Sequence, residues 1–152
     1  MQARMLEPRP ILERFTNLLE QMMATRFAEE GEGDWPELAP KTIERKGHSI
    51  IGRETDAMMQ ALTTSGAEGA LREVIDDELI FGVNLTSEEG VPYPAIFNDG
   101  RRAGPEQPPR PLFNPESMNL RRFTKEIQAW IVGQDRSQFG APDFRMSSLT
   151  FP

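Results

Sequence analysis

The chain has no cysteine among its 152 residues, a single histidine and a single tyrosine, and no apolar run longer than a few residues. The lack of cysteine removes disulfides and thiolate metal sites and fits a reducing compartment. With His48 alone, a histidine-based metal cluster is excluded. The short apolar runs fall far below the ~20 residues needed to cross a bilayer. The opening MQARMLEPRP lacks the apolar centre of a secretory signal. The reading is of a soluble protein made in the cytoplasm, without a membrane partner. Hydrophobic residues make up only 38% of the chain, against about 45–50% apolar content, glycine included, in ordinary domains. Thirteen prolines and twelve glycines point to many loops, arms or straps.

The net charge of −7 argues against a general nucleic-acid binder, because affinity for phosphates comes largely from lysine and arginine. The charge is unevenly spread. Residues 29–37 carry five acids (Glu29, Glu30, Glu32, Asp34, Glu37) and no base. Residues 101–125 carry six bases (Arg101, Arg102, Arg110, Arg121, Arg122, Lys125) against two acids. These are either solvated faces or complementary patches, the acidic segment of one copy meeting the basic segment of another.

Periodicity gives an α+β chain. Residues 10–27 read as an amphipathic helix, with Ile11, Phe15, Leu18, Met22 and Met23, Phe27 on one broad face and Pro10 in the first turn. GEGD at 31–34 stops it. A short helix follows Pro40 and ends at Gly47; a second follows Thr55 as N-cap and carries Met58, Met59 and Leu62 inward. At 70–84 the period changes to two, which predicts a β-hairpin turning at Asp76-Asp77. Such adjacent aspartates read as turn residues, with metal binding the lesser alternative. One hairpin is marginal alone, so it is expected to pack against the N-terminal and C-terminal amphipathic helices. PAIF at 94–97 makes a helical turn within long Pro/Gly-rich loops. The last helix is expected to start with Asn114 as cap and Pro115 at the first position, to bury Leu120, Phe123, Ile127, Trp130 and Ile131, and to end at Gly133. This gives one domain over 1–133 and an extended C-terminal arm over 134–152, whose Phe139, Phe144 and Phe151 are expected to lie on a neighbouring subunit.

Little in the chain points to catalysis. His48 sits in KGHS with no serine selected by spacing, paired carboxylates carry little weight in an acidic protein, and the glycines do not form a phosphate loop. The chain is read as a non-enzyme that needs no cofactor. Trp35 is expected to plug the edge of the core.

The segment PPRPLFNPE, 108–116, puts four prolines and one arginine into nine positions. Pro105, Pro108 and Arg110 also fit a PxxPxR ligand for an SH3-type groove, so an adaptor that docks a partner through this strap is an alternative function. As a rigid strap, the segment would instead hold Arg110 and Phe113 in fixed positions, either against its own last helix or across an interface.

Four features in order resemble the phage virion morphogenesis family, the tail-completion or neck proteins of tailed bacteriophages. They are the N-terminal amphipathic helix; the W-x-x-L-x-P-x-T phrase of Trp35, Leu38, Pro40 and Thr42 followed by Lys46; the strand LIFGVN followed by the Y-x-x-I-x-x-x-G turn of Tyr93, Ile96 and Gly100; and the P-x-R-P-F/L phrase of Pro108, Arg110, Pro111, Leu112 and Phe113. The resemblance covers roughly 10–132. It departs at GRETDAMMQALT, where family members often carry Thr-Gly-x-Leu, and at Phe97-Asn98-Asp99, where a histidine is common.

The resemblance implies a structural virion protein at the head–tail junction. It would form a homo-oligomeric ring beside the head–tail connector and the tail-tube or tail-terminator proteins, with DNA passing through its lumen. Interface candidates are Trp35, Arg101, Arg102, Arg110, Phe113, Arg121, Phe139, Phe144 and Phe151. Arg110 is expected to pair with a carboxylate across a contact.

Overall fold

The computed structural model describes residues 7–101, 107–114 and 120–132. In chain order they form α1 (Arg9–Ala28), α2 (Pro40–Lys46), α3 (Ala57–Thr63), β1 (Ala70–Ile75), β2 (Glu78–Val83), α4 (Tyr93–Asp99) and α5 (Leu120–Val132). The fold is α+β, a two-stranded antiparallel hairpin with flanking helices.

The spacing of apolar residues in α1 is expressed as burial of Ile11, Leu18, Met23 and Phe27. The helix breaks into a tight reversal in which Glu30, Gly31, Glu32 and Gly33 all have positive φ. Gly31 is needed there for two reasons. Its φ is +85°, and a Cβ would fall 2.3 Å from Cγ of Trp35. The indole therefore lies directly on the backbone of the reversal. α2 starts at Pro40 and ends on Gly47 in the left-handed conformation.

The cap of α3 differs from the expectation. Asp56, not Thr55, occupies the N-cap, with φ +58° and no side-chain cap bond. Its carboxylate instead accepts from Arg53 Nε (2.7 Å) and Nη2 (3.2 Å), which removes it from the helix N–H groups.

In the hairpin, Arg72 pairs with Phe81, Val74 with Leu79, Glu73 with Ile80 and Ile75 with Glu78. Cross-strand partners share a face. Arg72, Val74, Leu79, Phe81 and Val83 are half-buried and form the inner face; Glu73, Ile75, Glu78 and Ile80 are exposed on the outer one. The inner face lies over α1 and α3. The core gathers Met23 and Phe27 of α1, Trp35, Ile51, Met58, Leu62, Phe97 and Leu112. Edge-to-face ring pairs knit it, Phe27 to Trp35 at 5.4 Å and Trp35 to Phe97 at 5.1 Å.

The closing helix corrects the sequence reading. None of its side chains is fully buried. Phe123, Trp130 and Ile131 are half-buried, while Leu120 is 54% and Ile127 39% exposed. The reason is its neighbour. α5 packs on α1, where Phe123 meets Phe15 edge-on at 5.1 Å and Arg122 donates to Gln21 Oε1 at 3.2 Å. That contact covers one edge of the apolar stripe. The expected helix start at Pro115 and the arm over 134–152 lie outside the described residues; the Asn114 side chain donates to Asp34 Oδ2 at 2.9 Å.

Candidate functional site

The site is built on the proline strap, residues 107–114. Three prolines in this segment, at 108, 109 and 111, have no N–H. The donors beside them are both engaged by α4: Arg110 N–H reaches the Phe97 carbonyl at 2.9 Å and Leu112 N–H the Asn98 Oδ1 at 2.9 Å. The strap thereby answers groups left open at the end of that helix. Upstream, Arg101 and Gln107 exchange backbone bonds of 2.8 and 3.1 Å as an antiparallel bridge. Gly100 permits the approach, since a Cβ there would lie 2.7 Å from the Gln107 oxygen and 2.8 Å from Pro109 N.

The carbonyl of Pro111 is the centre of the site. Arg26 donates to it through Nε at 2.9 Å and Nη2 at 2.8 Å, and Trp35 through Nε1 at 2.9 Å. Arg26 is only 2% exposed, a costly place for a cation unless it is paired and bonded. It is both: the guanidinium also reaches Glu32 at 3.2 Å and Asp34 at 3.0 Å, and it lies 5.6 Å from the indole ring centre.

Arg110 is the reciprocal clamp. At 3% exposed, it donates from Nε to the Pro36 carbonyl (2.9 Å) and from Nη2 to the Glu37 carbonyl (3.0 Å). Burial pulls its pKa below the ordinary arginine value. The carboxylate partner expected across an interface is therefore corrected: the side chain faces inward and binds main-chain oxygens of its own chain. A third arginine, Arg72, occupies the inner face of the hairpin, stacked 3.8 Å over the Phe81 ring centre. It donates to Glu20 Oε1 (3.1 Å) and to the carbonyls of Gly82 (3.0 Å) and Ala61 (2.8 Å).

The other site residues disperse. Trp35 is a core residue, and Phe113 packs edge-on to Phe81 at 5.9 Å. Arg101 and Arg121 are exposed. Arg102, Phe139, Phe144 and Phe151 lie outside the described residues. The acidic segment is not a free patch: Glu32 and Asp34 hold Arg26, and Glu30 accepts from the Ile51 N–H at 2.9 Å.

Sequence reasoning missed Arg26 and Arg72, although each carried a signal. Arg26 stands beside Phe27, three residues from Met23 and just before five acids; Arg72 alternates in phase with the apolar residue Val74.

Between α2, α4 and the strap lies a cleft of about 560 Å³, walled by Leu38, Met58 and Phe97 and edged by Arg45, Glu54 and Tyr93. Arg45 and Glu54 bond each other, which holds the Glu54 carboxyl below its ordinary pKa. Lys46 donates to the Ile50 carbonyl at 2.9 Å, and burial lowers its pKa. Burial raises the Tyr93 phenol, helped by the charge of Glu68. Among the described residues, no three His, Cys, Asp or Glu side chains are grouped to hold a metal, and no helix is long and apolar enough to cross a membrane.

Compared with family models, characterised proteins and solved structures, the chain matches none.

Proposed function

We propose that this chain is a structural protein of a phage virion, acting without catalysis at the head–tail junction as a homo-oligomeric ring that joins or closes the tail. One observation carries the reading: the phrases on which the resemblance rests, far apart in sequence, touch one another. Trp35 of the W-x-x-L-x-P-x-T phrase donates to the Pro111 carbonyl of the last, Gly100 of the tyrosine turn admits Pro109, and Phe81 of LIFGVN meets Phe113 edge-on. They read as one scaffold, with arginines engaged in holding it. Neighbouring connector and tail-tube or tail-terminator proteins would then meet the outer surfaces. A ring of chains with net charge −7 favours repelling DNA in transit over retaining it.

The adaptor alternative draws less support. Arg110, the basic residue that an SH3-type groove would read, is inside its own fold, so docking would first have to extract the strap.

Light scattering on the full chain tests the proposal, alone and with purified connectors and tails. A discrete multiple of the 17.2 kDa subunit is expected. A chain that stays monomeric and binds neither connectors nor tails overturns it.

A further inference from the structure

We infer that the outer face of the hairpin is the docking site for α5 of a second copy of this chain, so that copies join head to tail. This rests on the self-assembly reading proposed above. Among the described residues, two groups of large apolar side chains stand exposed on the protomer. One is the stripe of α5, where Leu120 is 54% and Ile127 39% exposed, with the exposed cation Arg121 about 100° round the helix from Leu120. The other is the outer face of the hairpin, where Ile75 is 51% and Ile80 41% exposed. Their cross-strand partners are Glu78 and Glu73, so the face is a checkerboard of two isoleucines and two carboxylates, with Asp76 and Asp77 at the turn. A basic apolar helix and an acidic apolar sheet face are complementary in both respects. Elsewhere in the chain the acids of residues 29–37 are partly engaged by Arg26 and Ile51, whereas this acidic face is exposed.

Gly82 adds an independent observation. It lies on the same outer face, opposite Leu71. Its φ is not positive, and a Cβ there would meet nothing within 4 Å. Nothing in its own chain needs a glycine at this strand position, where glycine weakens pairing and often marks close approach of another surface. The missing side chain leaves a hollow beside Leu71 suited to a projecting apolar residue such as Leu120 or Ile127.

The two surfaces cannot meet within one copy. At roughly 100° per residue, Arg9 and Glu20, which bond the hairpin through Val74 and Arg72, fall on one side of α1. Phe15 and Gln21, which hold α5, flank the other side. The outer face of the hairpin also looks away from α1. Different surfaces on opposite sides make the contact heterologous, the kind that propagates and closes into a ring when the rotation permits.

The experiment uses the full chain in two forms, one with Leu120→Asp and Ile127→Asp, the other with Ile80→Asp and Glu73→Lys. All four positions are exposed, and unchanged circular dichroism and melting establish that both forms fold. Each alone is expected to lose assembly, with the apparent dissociation constant rising more than tenfold. A 1:1 mixture, which retains one intact contact, is expected to give dimers and stop there.

As a second measurement, Gly82→Val is expected to leave the melting temperature unchanged or higher while weakening assembly. If the wild type assembles and neither form nor Gly82→Val disturbs it, this contact is wrong and the ring reading survives. A mixture that yields no dimers while ending the chain at Gly133 reproduces the helix defect assigns the stripe of α5 to the following segment and also overturns the contact. A wild type that is monomeric with and without connectors and tails removes the ring reading and this contact together.

Discussion

Arg26 and Trp35 donate to one and the same oxygen, the carbonyl of Pro111, at 2.8–2.9 Å. A proline carbonyl beside two further prolines is a suitable acceptor for this task, because its segment has few alternative conformations in which to turn away. The arginine is thus held from two sides, by this oxygen and by the carboxylates of Glu32 and Asp34.

Replacement of Arg26 is expected to destabilise strongly. Arg26→Ala removes both the packing of a buried side chain and the donors that Pro111, Glu32 and Asp34 use, and about 2–4 kcal/mol of loss is expected in urea unfolding. Arg26→Met, which keeps the volume, should recover part of it. Equal, near-zero effects for both variants would show that the network contributes little to stability.

Arg110→Ala should weaken the fold rather than abolish a single binding event. Its two acceptors, the Pro36 and Glu37 carbonyls, would lose a charged donor, at about 1.5–3 kcal/mol. Chemical denaturation followed by tryptophan fluorescence reads this directly, since Trp35 lies beside the strap. Full stability combined with loss of one partner would favour the adaptor role.

Three glycines form a graded series. Gly31→Ala and Gly100→Ala combine a left-handed φ with sub-van-der-Waals approach to Trp35 and to the strap backbone, and should each cost about 2 kcal/mol or more. Gly33→Ala has φ +90° but open space around its Cβ, so it should cost about 1–2 kcal/mol from backbone strain alone. Thermal melts of the three would expose any other order.

Acid should loosen the α2–α3 region. Arg45 holds Glu54, and Arg53 holds Asp56, below the ordinary carboxylate pKa. In the unfolded chain these groups bind protons at higher pH than in the fold. Their contribution is therefore present above about pH 4–4.5 and lost as pH falls through the depressed folded values. Glu54→Gln and Asp56→Asn should flatten that acid limb; an unchanged pH profile would show that the ion pairs do not persist in solution.

What could be read from the sequence follows from locality. α1, α2 and the hairpin turn at Asp76-Asp77 are written in period and punctuation, and their limits shift by a residue or so at most. Phe113 stood between core and interface, and only the ring of Phe81, thirty-two positions away, places it against the core. The inward turn of Arg110 was not legible, because its acceptors are backbone oxygens, which every residue possesses and no sequence advertises. The exposure of α5 was hidden for a related reason. An apolar stripe states that a helix prefers a partner, without stating whether one chain supplies enough surface to cover it.

The bond from Arg26 to Pro111 spans 85 residues. This spacing fixes an order in time. As the chain is synthesised, α1 and the hairpin emerge and can pair through nearer contacts, while the guanidinium of Arg26 remains hydrated. Its carbonyl partner arrives only after α4 has been made, and contacts of such long range close late because their loop entropy must be met first. The strap is therefore a latch on α1 and the hairpin already in place, closed ahead of α5, whose bond to α1 spans 101 residues, and its release would bare Trp35 to solvent.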